Sequence, residues 1–207
     1  IVNQDNGASY MLYKQDQRMC IGYAFMTLDG ALAVLGDAQR TAKEKGYFDL
    51  WENAAITLLP LDIAIRLVLK KRARQTQKDQ TLDSLLIVIP GADDRQDGIA
   101  LDSRFKDQGR VPLFYVNRKV DDGDEALNLY FTRKELITSW NDKHPGIPLP
   151  VIKALDLVGI FESIVRDRVE TLPSTNLVFH PSQLSLKAAR ELKARGLAPY
   201  SPNRIII

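Results

Sequence analysis

The sequence predicts an α/β fold with pseudo-two-fold symmetry, in which a unit of strand hairpin, helix, strand, helix, strand and helix occurs twice. Three observations predict it. The stretch Ala126 to Trp140, ALNLYFTRKELITSW, reads as a strand running straight into a helix, and Ile21 to Leu35, IGYAFMTLDGALAVL, reads the same way. Pro60-Leu61-Asp62-Ile63 and Ala154-Leu155-Asp156-Leu157 then each lead into an apolar helix. Finally Leu86-Ile87-Val88-Ile89-Pro90 is matched by Leu177-Val178-Phe179-His180-Pro181, each an extended apolar run closed by proline. The order of the three matches is kept, so the repeat is about one hundred residues long. A single domain over residues 1–207 follows, with repeats at about 9–106 and 110–195 and a C-terminal docking tail at 197–207.

In the first repeat Ser9 to Tyr13 and Met19 to Phe25 are β-like runs, and the polar Lys14-Gln15-Asp16-Gln17 between them reads as a hairpin turn. Thr27 takes the cap position of a helix from about Leu28 to Lys45, with Asp29 in its first turn and Gly46 placed to end it. Leu28, Ala31, Leu32, Leu35, Ala38 and Ala42 fall on one stripe, expected to cover the sheet. Phe48, Leu50 and Trp51 lie in a connection that the second repeat lacks, before a short strand from Ala55 to Leu59. A helix from Leu61 to about Arg74 is apolar around much of its circumference, which predicts cover on both sides. A loop from Gln75 to Thr81, a strand from Leu85 to Ile89 and a weakly patterned helix from Asp93 to Phe105 complete the repeat.

Val111 to Val116 opens the second repeat, and Pro112 predicts either an early position in the strand or a sheet edge. The acidic turn Arg118 to Glu125 lacks the glycine and glutamate spacing of a calcium loop and reads as a solvated hairpin turn. Leu127, Leu129 and Phe131 alternate along the following strand, and Thr132 stands three residues before Glu135, the spacing of a capping box. The helix beyond it turns Leu136, Ile137 and Trp140 inward and stops at His144-Pro145-Gly146. A strand from Leu149 to Ala154, a helix from Asp156 to Arg166, a strand from Asn176 to Phe179 and a helix from Gln183 to Arg195 follow. Leu184, Leu186, Ala189 and Leu192 are the packing candidates of the last helix.

Composition narrows the function classes. Basic and acidic residues number 28 and 26, so no global electrostatic attraction to nucleic acid exists, and the expected partners are proteins. A single cysteine, Cys20, excludes an internal disulfide and reads as a buried small hydrophobe; with two histidines no Cys/His zinc cluster is available. The longest apolar region, Ala54 to Leu69, is broken by Pro60, Asp62 and Arg66 and falls short of the roughly 20 residues that cross a bilayer. The chain starts at Ile1 rather than methionine, which suggests a leader either removed or left out of this sequence and leaves the compartment open.

No catalytic, metal or cofactor site is expected. Nucleotide signatures of the GxGxxG and P-loop types are absent, and no serine sits in a GxSxG elbow. His144 and His180 each precede a proline and read as turn residues, while Asp62 and Asp156 read as first-turn acids that complement helix dipoles. Two features point to partners. One is the basic cluster Lys70, Lys71, Arg72 and Arg74, which also suits a solvated helix C-terminus. The other is the tail, where Tyr200 and Arg204 precede Ile205, Ile206 and Ile207, side chains expected to order only against another chain.

The segments GYAFMTLDGALAVL (22–35), ITLLPLDIAIRLVL (56–69), LIVIPG (86–91), GRVPLFYV (109–116), LYFTRKEL (129–136) and the Leu155-Asp156-Leu157-Val158 helix start resemble the Tic twenty-two-kilodalton family of the chloroplast import translocon and its cyanobacterial relatives. The resemblance spans about residues 9–166 and rests on short apolar motifs. It implies a chloroplast location, apolar grooves and a non-enzymatic chaperone or import factor that binds preprotein segments without cofactor, peripheral to the membrane. The longer ending, Asn176 to Ile207, suggests the alternative of a structural accessory subunit fixed to a plastid membrane complex, such as a photosynthetic thylakoid one.

Overall fold

The computed structural model describes residues 1–3, 9–14, 19–75, 83–116, 126–165 and 176–194. The turn at 15–18, the loop at 76–82, the acidic turn at 117–125 and the tail from 195 on lie outside the described residues. The chain divides into two units, residues 1–89 with 187–207, and residues 90–186.

The first unit contains β1 (Val2–Asn3), β2 (Leu12–Lys14), β3 (Met19–Phe25), α1 (Leu28–Glu44), a 3₁₀ turn (Phe48–Leu50), β4 (Ala54–Ala55), α2 (Leu61–Gln75) and β5 (Asp83–Ile89). β2 and β3 form the expected antiparallel hairpin, with Leu12 opposite Ile21, and β5 lies parallel to β3, with Ile21 opposite Leu85. A parallel neighbour requires a crossover, which α1 and α2 supply. Ile21, Ile87 and Val88 of the sheet are buried, as are Ala64, Ile65 and Val68 of α2. Asp62 and Arg66 pair in water on the outer side of α2, so its cover is one-sided. β4 is shorter than the strand expected from Ala55 to Leu59 and pairs with β1 instead. Tyr10 stacks on Trp51 at 4.6 Å between ring centroids, which gives the connection after α1 its anchor.

The second unit contains α3 (Ala92–Leu101), a 3₁₀ turn (Ser103–Lys106), β6 (Pro112–Val116), β7 (Ala126–Tyr130), α4 (Arg133–Lys143), β8 (Ile152–Asp156), α5 (Leu157–Val165) and β9 (Asn176–His180). The last helix, α6 (Gln183–Ala194), starts here and from Lys187 is grouped with the first unit. Four strands run in the order β8-β6-β7-β9, with β6 antiparallel to both neighbours and β9 parallel to β7. Pro112 is the first residue of β6, and that early position tolerates its missing N–H; the strand itself is interior to the sheet. One face carries Phe114 and Ile152 against Leu136 of α4, with Val116, Tyr130, Ile137 and Ala154 packed around them. On the other face Leu113 and Leu129 are fully buried, and Phe161 of α5 stacks on Phe179 at 5.7 Å.

The strand-to-helix junctions of the two halves match closely. Phe25 pairs with Ile89 and the Met26 amide donates to the Ile89 carbonyl at 2.9 Å; Tyr130 pairs with His180 and the Phe131 amide donates to the His180 carbonyl at 3.4 Å. Thr27 and Thr132 follow with near-identical backbone angles, and their hydroxyls accept from the Gly30 and Glu135 amides at 3.3 and 3.1 Å. Strand order and sense also recur, since β2-β3-β5 and β6-β7-β9 each join an antiparallel pair to a parallel one. The aspartates part company: Asp62 is the second residue of α2, whereas Asp156 ends β8 and caps α5 from outside the helix.

Gly98 of α3 shows how closely the second unit is packed. A Cβ there would lie 2.8 Å from Pro112 Cβ and 2.9 Å from Pro112 Cγ, with the buried Phe105 ring at 3.3 Å. Pro112 is fixed by its ring and by strand pairing and has little room to yield. Gly98→Ala is therefore expected to destabilise by about 1–3 kcal/mol despite alanine's better helix propensity. A urea midpoint equal to or above that of the parent would refute this packing argument.

Candidate functional site

Among the described residues, the segment leading into the edge strand β8 carries a run of exposed apolar side chains. α4 ends at Lys143, and the His144 ring lies tilted against Trp140, 4.2 Å between centroids, while its amide donates to the Trp140 carbonyl at 2.8 Å. Gly146 then takes φ 79°, the left-handed conformation that only glycine adopts freely, and the chain turns. The Ile147 amide donates to the His144 carbonyl at 3.1 Å, and the Trp140 indole N–H donates to the Ile147 carbonyl at 3.2 Å. One end of the segment is thus tied to α4. The other is tied to the sheet by Ile152, which is buried and pairs with Val116.

Between these anchors runs Ile147-Pro148-Leu149-Pro150-Val151. Each proline fixes its own φ and pushes the residue before it toward extended backbone, so Ile147 and Leu149 are held extended by sequence alone. Ile147, Leu149 and Val151 are 54%, 36% and 77% exposed. The prolines offer no N–H, which blunts the edge against indiscriminate strand pairing while leaving the apolar side chains open. The arrangement is a pre-ordered apolar ledge: its backbone entropy is already lost, so a bound chain forfeits less on docking. The strand expected to start at Leu149 starts instead at Ile152, because the prolines keep the ledge out of the ladder.

Other apolar side chains are also open. Leu184 of α6, expected to pack, is 77% exposed, and Leu32 of α1, placed on the inward stripe, is 51% exposed. The buried positions of α1 are Ala31 and Ala42, so its contact face is narrower than the apolar stripe. Val34, Tyr47 and Phe48 add exposed apolar area in the first unit.

The side chains expected to meet a partner are not among those described. Lys70, Lys71, Arg72 and Arg74 occupy the last turns of α2, with side chains outside the described residues, and Tyr200, Arg204, Ile205, Ile206 and Ile207 lie outside them altogether. Among the described residues no group of three or more His, Cys, Asp or Glu side chains is placed to hold a metal, and Cys20 is half-buried. His180 stacks on Tyr130 at 4.4 Å, and its Nε2 lies 2.7 Å from Asn128 Oδ1. Burial first, then the Lys143 charge, holds its pKa below that of a free imidazole. A neutral histidine in a strand-end network of this kind is a structural element of β9, where a turn residue bonded to backbone was expected. The ledge itself went unread in the sequence, although alternating proline with large apolar residues over 147–151 was its signal.

No family model and no curated protein matches the sequence. Solved structures do match. Tic22 from Plasmodium falciparum aligns over 94% of this chain and 92% of its own, with a TM-score of 0.65 and 18% identity. The chain has the Tic22 fold. Anabaena Tic22, described as a protein of protein transport, covers 96% of this chain and 91% of its own, with a TM-score of 0.59 and 20% identity. The Tic22 fold is α/β, as the strand and helix patterns predict, and the match spans both units.

Proposed function

We propose that this chain is a non-enzymatic polypeptide-binding factor of protein transport, acting in plastid protein import, with the ledge Ile147–Val151 as a contact for extended apolar segments of its clients. The observation that carries the reading is a run of exposed apolar side chains at alternate positions on an already ordered backbone. The fold shared with Anabaena Tic22, a protein-transport protein, supports it. No helix of the described residues is long and apolar enough to cross a membrane, in keeping with peripheral action.

The test is binding of fluorescently labelled, reduced and carboxymethylated α-lactalbumin, a permanently unfolded probe. The triple substitution Ile147→Ser, Leu149→Ser, Val151→Ser is expected to weaken binding by about tenfold or more, since 1.4 kcal/mol suffices for that factor and each apolar side chain can contribute as much. Thermal stability should move little because all three side chains are exposed. Equal binding by parent and variant would refute the ledge, and no binding by the parent would refute the reading as a whole. A stoichiometric membrane-complex partner that survives detergent and salt would establish the accessory-subunit alternative in its place.

A further inference from the structure

The ledge offers side chains, and the strand it leads into offers backbone groups that the ledge does not use. Among the described residues β8 ends the four-stranded sheet, with β6 as its one neighbour. The Leu157 amide donates to the Val111 carbonyl at 2.9 Å, one step beyond the paired residues Pro112 and Asp156. Hydrogen-bonded pairs alternate along an antiparallel ladder, so Leu155 with Leu113 and Lys153 with Tyr115 are the pairs that bond across it. Pro112, which has no N–H to give, falls at a position where β8 asks for none. By the same alternation Ile152 and Ala154 turn their N–H and C=O groups away from β6, toward the open side of the sheet. Among the described residues no hydrogen bond reaches these outward groups.

We propose, resting on the polypeptide-binding reading, that an extended apolar client segment adds to this sheet as a further strand along β8. Its backbone bonds the outward groups of Ile152 and Ala154, and its continuation runs beside the ledge. Pro148 and Pro150 withhold N–H groups along the ledge, whereas residues 151–156 contain no proline, so pairing is confined to β8. At the far end the Asp156 carboxylate is engaged by the Val111 and Val158 amides and α5 begins, which closes the open ladder. The groups left over are those of a peptide backbone, the same in every client, so the contact selects extended conformation more than sequence. Lys153 is exposed between them and decides against a second copy as the occupant. Pairing β8 with β8 about Ala154 would bring the other Lys153 to the same face, like charge near like charge. A client segment that is neutral or acidic beside Lys153 meets no such repulsion.

The test is amide hydrogen exchange in the full chain, read residue by residue by NMR, with and without the carboxymethylated α-lactalbumin probe. Without probe the Lys153 and Leu155 amides should be protected by β6, and those of Ile152 and Ala154 should exchange fast. With the probe at about ten times its Kd, exchange at Ile152 and Ala154 should slow by about tenfold, as for amides that exchange only from the unbound protein. Ala154→Pro removes one outward donor and leaves the bonds of Lys153 and Leu155 to β6 in place; with the ledge intact it should weaken probe binding by roughly three- to tenfold. The exchange result does not depend on that variant folding. Unchanged exchange at Ile152 and Ala154 in a parent chain that binds the probe would overturn the added strand and leave the ledge reading standing, whereas a parent that binds no probe removes both. Protection of these two amides without probe, growing with protein concentration, would overturn it by placing a second copy on the edge.

Discussion

Phe114→Ala is expected to cost about 3–5 kcal/mol, a large part of the roughly 5–15 kcal/mol that holds an ordinary domain folded. Phe114 is fully buried at the centre of β6, opposite Tyr130 on one side and Ala154 on the other. Its ring meets Leu136 of α4 and Ile152 of β8, so truncation opens a cavity bordered by three elements that strand pairing prevents from collapsing. Trp140 sits in the same unit and Trp51 in the other. In a Trp51→Phe background, fluorescence on urea unfolding therefore reports the damaged unit directly. A loss below about 1 kcal/mol would show that the core relaxes around the gap, contrary to the rigidity argued from the sheet.

Asp156→Ala is expected to cost about 2–4 kcal/mol, because one carboxylate serves two elements. Its Oδ1 accepts the Val111 amide at 3.1 Å, where the chain enters β6, and the Val158 amide at 3.3 Å, in the first turn of α5. Val111 is buried, and alanine would leave its N–H without an acceptor. Arg110, on the outer oxygen at 3.4 Å, is partly solvated and adds little. Asp156→Asn keeps the shared oxygen and should lose about half as much. The aspartate matched to it in sequence gives the contrast. Asp62 forms an exposed pair with Arg66, and its removal should cost under about 1 kcal/mol. Chemical denaturation of the three variants checks the ranking; equal losses at 62 and 156 would refute it.

The features legible in the sequence were those that local chemistry decides. Thr27 and Thr132 marked helix starts because a hydroxyl acceptor three residues ahead of an amide is a local geometry. Alternation made Leu129 and Phe131 core residues, and both are buried. Leu32 and Leu184 were misread because helical periodicity finds an apolar stripe and not how wide a contact the sheet offers. β6 proved interior because strand order is set by long-range pairing, on which Pro112 is silent beyond its own position. The ledge was hidden for a related reason: exposure of Ile147 and Val151 follows from where the sheet ends. Glu135 was read as half of a capping box, and only the approach of α6 gives its carboxylate a different donor.

The unit boundaries at 89 and 187 set an order of events as the chain is made or threaded through a pore, N-terminus first. Residues 90–186 are contiguous, so everything that unit requires has emerged once residue 186 has. The unit begun first is still short of its closing segment at that moment. The half of the protein that starts earlier is completed later, by residues 187–194 of α6 among those described.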